Sequence, residues 1–166
     1  WDSRGLQAGD RVYVKSEADF ATISDSLIGR VVGPLGEPFD GKGPVLSESK
    51  LSLAGEPINP MERTPINRVL DVGVRAINGL LTVGCGQRIG LVAGSGVGKS
   101  VLLAMLTKFT SADVVVIGLI GERGREVKEF VENTLGEEGM TRAIVVAAPA
   151  DQSPLLRIRS THLAHL

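Results

Sequence analysis

Residues 88–109 read RIGLVAGSGVGKSVLLAMLTKF, an apolar run that passes through a glycine-rich loop into an apolar helical pattern. We expect residues 88–92 to form a short strand and residues 100–109 to form a helix. The apolar residues predicted to share one face of this helix are Val101, Leu102, Met105, Leu106 and Phe109. A strand, a glycine-rich turn and a helix in this order are typical of sites that bind phosphate groups.

The loop itself, residues 93–100 (AGSGVGKS), matches the phosphate-binding pattern GxxxxGK[ST], except that Ala93 replaces the first glycine. Its glycines allow consecutive backbone N–H groups to point at one anion, and the following helix adds the positive end of its dipole. Lys99 is expected to reach the β- and γ-phosphates of ATP, and the Ser100 hydroxyl to ligate Mg²⁺. The predicted nucleotide-binding residues are Gly94, Ser95, Gly96, Val97, Gly98, Lys99, Ser100 and Val101. A turn that serves packing alone is disfavoured, because a Lys–Ser pair follows the last glycine.

The chain after this loop alternates strand patterns with helix patterns. Residues 114–120 and 143–148 are nearly continuous apolar runs, which is typical of strands buried on both faces. Residues 126–135 have the spacing of an amphipathic helix, and Pro154 stands where a further helix would begin. This order predicts an α/β fold with a parallel sheet.

Two details of these helices can be predicted as well. The apolar residues expected to face inward from the first of them are Val127, Phe130, Val131 and Leu135. Before the second helix, either Ser153 or Asp151 could accept a hydrogen bond from a free backbone N–H and so act as the N-cap.

Glu122 and Arg123 follow the predicted strand at 114–120. Ligands of open α/β sheets bind outside the carboxyl ends of the strands, so both side chains could face the phosphate loop. A carboxylate there can orient the attacking water, and an arginine can neutralise charge on the transferring phosphoryl group. A solvated, charged loop that serves no catalytic role explains the same residues equally well.

A family resemblance separates these two interpretations. The string GLIGERGREVKEF, residues 118–130, together with the phosphate loop, resembles the catalytic subunits of rotary-type hexameric ATPases, and among them the flagellar protein-export ATPases. Further segments that carry the resemblance are residues 29–44 (GRVVGPLGEPFDGKGP), 71–106 and 147–157.

The resemblance implies a RecA-like P-loop core and an ATPase activity. It implies that Lys99 and Ser100 bind phosphate and Mg²⁺, that Glu122 is the catalytic carboxylate, and that Arg123 is a ligand of the γ-phosphate. The non-catalytic subunits of the rotary family typically carry glutamine where Glu122 stands, so the glutamate favours hydrolysis over nucleotide binding alone.

The same resemblance suggests how the chain is divided. Short apolar runs at 11–14 and 27–32, separated by Gly- and Pro-rich turns, indicate small β elements. We expect residues 1–26 to be the end of an N-terminal β-barrel, 27–65 an extended connector, and 66–166 an incomplete RecA-like core. The Walker B strand, the adenine contact and the arginine finger are expected beyond residue 166, so the chain is interpreted as an interior fragment that hydrolyses ATP negligibly alone.

Composition narrows the partners. The formal net charge of −1 gives no broad basic field, which argues against a nucleic-acid partner. A single cysteine, Cys85, excludes an internal disulfide and fits a reducing compartment. The resemblance implies a homo-hexamer at the cytoplasmic face of the membrane that meets the flagellar export apparatus and its substrate–chaperone complexes.

Four other functions share parts of this pattern. Two are enzymes of the same chemistry: an injectisome type III secretion ATPase and a rotary ATP synthase catalytic subunit, although Gly124 stands where the latter usually has threonine. A non-catalytic nucleotide-binding subunit is disfavoured by Glu122. A Rho-like RNA translocase is disfavoured by the near-neutral charge and by the lack of an aromatic stacking platform.

Overall fold

The computed structural model describes residues 7–13, 20–46, 49–55, 57–94 and 96–166. Ser95 of the phosphate loop lies outside the described residues, as do residues 1–6 and 14–19 of the predicted barrel segment. The strands are β1 (Phe20–Thr22), β2 (Val31–Val32), β3 (Lys50–Ser52), β4 (Val115–Ile120) and β5 (Ala143–Ala148). The helices are α1 (Arg75–Leu80), α2 (Lys99–Phe109), α3 (Gly124–Glu129), a π-helical segment (Phe130–Leu135), α4 (Gly136–Met140) and α5 (Pro154–His165), with short 3₁₀ turns at Asp25–Leu27 and Pro60–Glu62.

Three parallel strands form the central sheet. β5 lies in the middle, between β4 and β2, and all six of its residues pair with β4 in the register Val115 to Ala143. β1 and β3 form a separate antiparallel pair. The parallel sheet expected from the alternating pattern is therefore confirmed, and β2, from the segment before the phosphate loop, joins its edge.

Helices cover both faces of this sheet. On one face, Val145 and Ile117 pack in a cluster with Ala104 of α2 and Phe130. On the other face, Val146 packs with Leu163 of α5. Neighbouring residues of a strand point to opposite faces, so β5 is buried on both sides, as its continuous apolar sequence predicts. The result is a three-layer α/β arrangement, which confirms the predicted fold class.

The strand predicted at residues 88–92 is wrong for the described part of the chain. These residues form no strand pairing there, and Val92 is 98% exposed while Ile89 is 55% exposed. A strand needs a neighbour to satisfy its backbone N–H and C=O groups. β4 and β5 pair with each other, and the described residues provide no strand next to 88–92.

The apolar face predicted for α2 is not the face that packs in the structure. Val101 and Phe109 are 59% and 58% exposed, whereas Ala104 and Thr107 are buried. The face that packs is rotated toward the π-helical segment and α4. The helical spacing indicates that α2 is amphipathic. Its apolar residues cover more than one side of the helix, however, and only the side that contacts the π-helical segment and α4 is packed.

The helix predicted at 126–135 forms as α3 followed by the π-helical segment. Its expected inward residues are confirmed: Val127, Phe130 and Leu135 are buried, and Val131 packs against the same core. In a π-helix hydrogen bonds run from i to i+5, which keeps Phe130 and Leu135 on one face. The helix predicted at Pro154 is confirmed too, and Ser153 is its N-cap, because its hydroxyl oxygen accepts from Leu156 N at 3.4 Å.

Arg142 fixes the end of α2 that lies far from the phosphate loop. Its guanidinium donates to the carbonyls of Thr107 at 3.0 Å and Lys108 at 2.7 Å, and to that of Ala112 at 2.8 Å. The last carbonyls of a helix have no partner within the helix, so a cation that binds them caps the helix and complements its dipole. α2 is thus anchored by the residue that directly precedes β5.

Asp40 and Arg30 hold the segment that contains β2. Their side chains are 7% and 12% exposed and form a bidentate pair, with distances of 2.7 Å from Nε and 2.9 Å from Nη2 of Arg30. Asp40 also accepts from the backbone N–H groups of Val31 and Lys42, each at 3.0 Å. The hydrogen bonds from Arg30 and from these amides hold the pKa of Asp40 well below its usual range.

We expect Asp40→Asn to lower the free energy of unfolding at pH 7 by about 2 kcal/mol, because hydrogen bonds to a charged group are lost. A carboxyl whose folded-state pKa is lowered stabilises the fold above its unfolded pKa of about 4 and loses that contribution as the pH falls further. In urea unfolding, the gap between wild type and variant should therefore narrow from about pH 4 to about pH 2. Asp113→Asn, at an exposed position, is the matched control. If the difference in free energy of unfolding between wild type and Asp40→Asn stays the same at low pH, this explanation is contradicted.

Among the described residues, no helix combines the length and the apolar character that crossing a bilayer requires.

Candidate functional site

The phosphate loop has the backbone shape that its glycines allow. Gly96 and Gly98 have φ angles of +78° and +94°, in the left-handed region that other residues rarely adopt. α2 begins at Lys99, directly after Gly98, and Leu102 N donates to Gly98 O at 2.9 Å. The loop therefore ends at the N-terminus of an eleven-residue helix, whose free backbone N–H groups favour an anion.

The glycines are not required by packing. A Cβ added at Gly94, Gly96 or Gly98 would meet no atom within 4 Å. The space beside the loop is therefore open, which disfavours the interpretation of the sequence as a turn that serves packing alone. An open bend at a helix N-terminus suits a polyphosphate.

Lys99 and Glu122 meet in one cleft. Lys99 Nζ lies 4.0 Å from Glu122 Oε1, and the two side chains are 51% and 42% exposed. The cleft has a volume of about 290 Å³ and lies between α2 and the α3–π segment. The residues that line it are Lys99, Ser100, Val101, Leu103, Leu119, Glu122, Glu126, Val127, Glu129, Phe130 and Thr134. Of the predicted site residues, the structure brings Lys99, Ser100, Val101 and Glu122 together here.

Arg123 does not line the cleft itself but pairs with Glu126, which does. Its Nη1 lies 3.6 Å from Glu126 Oε1, and its side chain is 71% exposed. An exposed pair of this kind contributes at most about 1 kcal/mol, so a stronger anion can displace Glu126. Arg123 can therefore turn toward a bound phosphate from its position beside Glu122.

The backbone around Glu122 is held by the neighbouring strand. Gly121 N donates to Ala148 O at 2.8 Å, and Ala150 N donates to Glu122 O at 2.9 Å. Gly121 has a φ of +81°, which turns the chain sharply at the end of β4. This turn presents Glu122 at the carboxyl edge of the sheet, the edge at which α/β proteins bind ligands.

The sequence reasoning missed several residues of the cleft. Glu126, Glu129, Phe130 and Thr134 line it, although none was predicted as a site residue. Glu126, Phe130 and Thr134 follow one another at intervals of four residues along α3 and the π-helical segment, so helical spacing was the signal that could have found them. Their approach to α2 depends on how the two helices pack, which spacing alone does not give.

Comparison with known protein families identifies the nucleotide-binding domain. Residues 73–166, which are more than half of the chain, match the profile of the ATP synthase alpha/beta family, nucleotide-binding domain. The match includes the phosphate loop and the Glu122 turn. It supports the predicted P-loop core on grounds independent of the geometry.

Curated relatives extend the similarity to almost the whole chain. The flagellum-specific ATP synthase of Pseudomonas aeruginosa is 54% identical over 156 residues, which cover 94% of this chain and 35% of that protein. That of Salmonella typhimurium is 52% identical over 167 residues, which cover 96% of this chain and 37% of that protein. The predicted resemblance to flagellar export ATPases is confirmed. The chain spans about a third of the length of these relatives.

Solved structures agree with the fold. The assembled ATPase EscN of the type III secretion system of enteropathogenic E. coli has a TM-score of 0.86 and 38% identity, over 97% of this chain and 39% of that one. EscN in complex with its central stalk EscO has a TM-score of 0.82 and 40% identity, over 89% of this chain and 36% of that one. With the phosphate loop, the Glu122 turn and the family profile in agreement, this chain belongs to the ATP synthase alpha/beta family.

Proposed function

We propose that this segment binds MgATP in the cleft between α2 and α3, and that the protein containing it hydrolyses ATP to support flagellar protein export. The observation that carries the proposal is the convergence of Lys99 and Glu122, 4.0 Å apart, at the mouth of the phosphate loop. Identities of 54% and 52% to flagellum-specific ATP synthases support the biological setting.

The residues present suit a magnesium–triphosphate complex. The bend at Gly96 and Gly98 leaves open space for phosphate oxygens, and the N-terminus of α2 offers free amides. Lys99 would hold the β- and γ-phosphates, and the Ser100 hydroxyl would be a ligand of Mg²⁺. When bound, the metal neutralises phosphate charge and orients the γ-phosphoryl group.

Glu122 is proposed as the group that activates water. Its carboxylate faces the cleft, and a carboxylate in this position can accept a proton from the attacking water as the water oxygen bonds to the γ-phosphorus and the bond from that phosphorus to the β–γ bridging oxygen breaks, which releases ADP and inorganic phosphate. Arg123 is proposed to separate from Glu126 and become a ligand of the γ-phosphate. The remaining predicted loop residues, Gly94, Ser95, Gly96, Val97, Gly98 and Val101, are proposed to contact phosphate through their backbone.

The assembly and the location follow from the relatives. EscN is an assembled ATPase with a central stalk, EscO. By analogy, we propose a ring of identical subunits, a hexamer, that works in the cytoplasm at the inner face of the membrane. There it would meet the export apparatus and its substrate–chaperone complexes.

The rival functions differ in the ligand that the protein must bind or in whether it hydrolyses ATP. An injectisome ATPase shares the chemistry and has structural support from EscN, although the identity of EscN to this chain is lower, at 38% and 40% in the two structures. A non-catalytic subunit would bind ATP without turnover. An RNA translocase would need RNA to stimulate hydrolysis.

One experiment tests the proposal against the non-catalytic subunit and the RNA translocase. In the full-length protein, meaning one of the relatives' length that contains this segment, we expect saturable MgATP binding and steady phosphate release. RNA should leave both unchanged, whereas the 166-residue segment should bind MgATP with negligible turnover. Stimulation of turnover by RNA would favour the translocase, and binding without any turnover in the full-length protein would favour the non-catalytic subunit.

A further inference from the structure

Arg157 is a half-buried cation without a charged partner among the residues that the structure describes. Its Nε is buried and makes no hydrogen bond there, and none of the ion pairs between described residues includes Arg157. A buried N–H without an acceptor costs free energy, so an unpaired group of this kind calls for an explanation.

The position of Arg157 relates it to the Glu122 turn. α5 runs back beneath β4: a Cβ added at Gly118 would lie 3.4 Å from the Cβ of Ala164, and one added at Gly121 would lie 4.0 Å from Arg157 Nη1. The guanidinium therefore lies against the residue that directly precedes Glu122. It approaches from the face of the sheet that α5 covers, opposite to α2.

The charges in the cleft indicate what Arg157 can do beneath the turn. In the structure, Lys99 is the cation that faces Glu122. A bound triphosphate would attract Lys99 and repel the carboxylate of Glu122, so the turn would be pushed away from the reacting phosphoryl group. The hydrogen bonds from Gly121 N and Ala150 N hold the backbone of the turn but do not offset that repulsion.

We propose that Arg157 is a positioning residue for Glu122. Its guanidinium packs beneath the turn at Gly121 and so blocks movement of that turn away from the nucleotide, and its positive charge offsets part of the negative potential that bound phosphates would impose on the Glu122 carboxylate. The inference rests on the proposed function, because it assumes that Glu122 acts in hydrolysis.

The test compares two arginines of α5 in the full-length protein. Arg157→Met keeps the apolar stem and removes the charge. We expect kcat to fall about 10- to 100-fold through misplacement of the turn, while the KM for MgATP stays within about twofold. Arg157→Lys should recover part of the lost kcat because it restores the charge.

Arg159→Met is the matched control. Arg159 donates to the carbonyls of Pro34 and Phe20, each at 2.9 Å, so its loss should lower the melting temperature and leave kcat nearly unchanged. Either of two results would overturn the inference. One is that Arg157→Met lowers the melting temperature as much as Arg159→Met does and loses no more kcat than that variant. The other is that Arg157→Met keeps the kcat of the wild type. Glu122→Gln, measured in parallel, distinguishes failure of the inference from failure of the proposed function. A fully active Glu122→Gln variant would overturn both.

Discussion

Glu122→Gln in the full-length protein is expected to lower turnover by roughly 10²–10⁴-fold while MgATP affinity stays within about threefold of wild type. The amide has nearly the same shape as the carboxylate and can still fill the position beside Lys99. It cannot accept a proton from the attacking water. An effect on kcat without an effect on binding is the signature of a group that acts mainly in the transition state.

Single-turnover phosphate release and equilibrium nucleotide binding would separate the two quantities. Glu137→Gln removes an exposed carboxylate of α4 that lies outside the cleft, so it controls for the loss of one negative charge. It should behave like wild type in both assays. If Glu122→Gln loses affinity as strongly as turnover, Glu122 holds the nucleotide rather than activates water, and the proposed role is wrong.

The parts of the site that the sequence predicted are those fixed by local chemistry. A glycine-rich turn between an apolar run and a helix predicts backbone conformations that glycine adopts readily and other residues rarely do. In the structure, Gly96 and Gly98 both have positive φ angles. The position of Glu122 followed from a topological rule, because the carboxyl ends of parallel strands share one edge. Its role came from the family resemblance, since the charged turn alone fitted two interpretations equally.

The features that the sequence did not predict depend on contacts between distant segments. The segment 88–92 has the composition of a strand, yet no described strand pairs with it. The packed face of α2 is chosen by its neighbours, α4 and the π-helical segment. Arg157 carries no motif, and only the path of α5 beneath β4 brings it to Gly121.

Lys99→Ala is expected to weaken MgATP binding by roughly 10- to 100-fold, because a hydrogen-bonded ammonium that contacts phosphate contributes about 1.5–3 kcal/mol. The fold itself should hardly change. Lys99 and Glu122 are about half exposed, and an exposed pair at 4.0 Å adds little to stability. A loss of affinity with an unchanged melting temperature would therefore come from the site and not from unfolding.

Calorimetric titration of MgATP measures this effect in the 166-residue segment as well as in the full-length protein. Lys128→Ala is the control, since Lys128 is 73% exposed and pairs with Glu132 on the surface of α3, away from the cleft. It removes the same charge without touching the phosphate loop. Equal affinities for Lys99→Ala and Lys128→Ala would mean that the nucleotide is not held at the N-terminus of α2. In that case the shape of the loop at Gly96 and Gly98 would have some purpose other than phosphate binding.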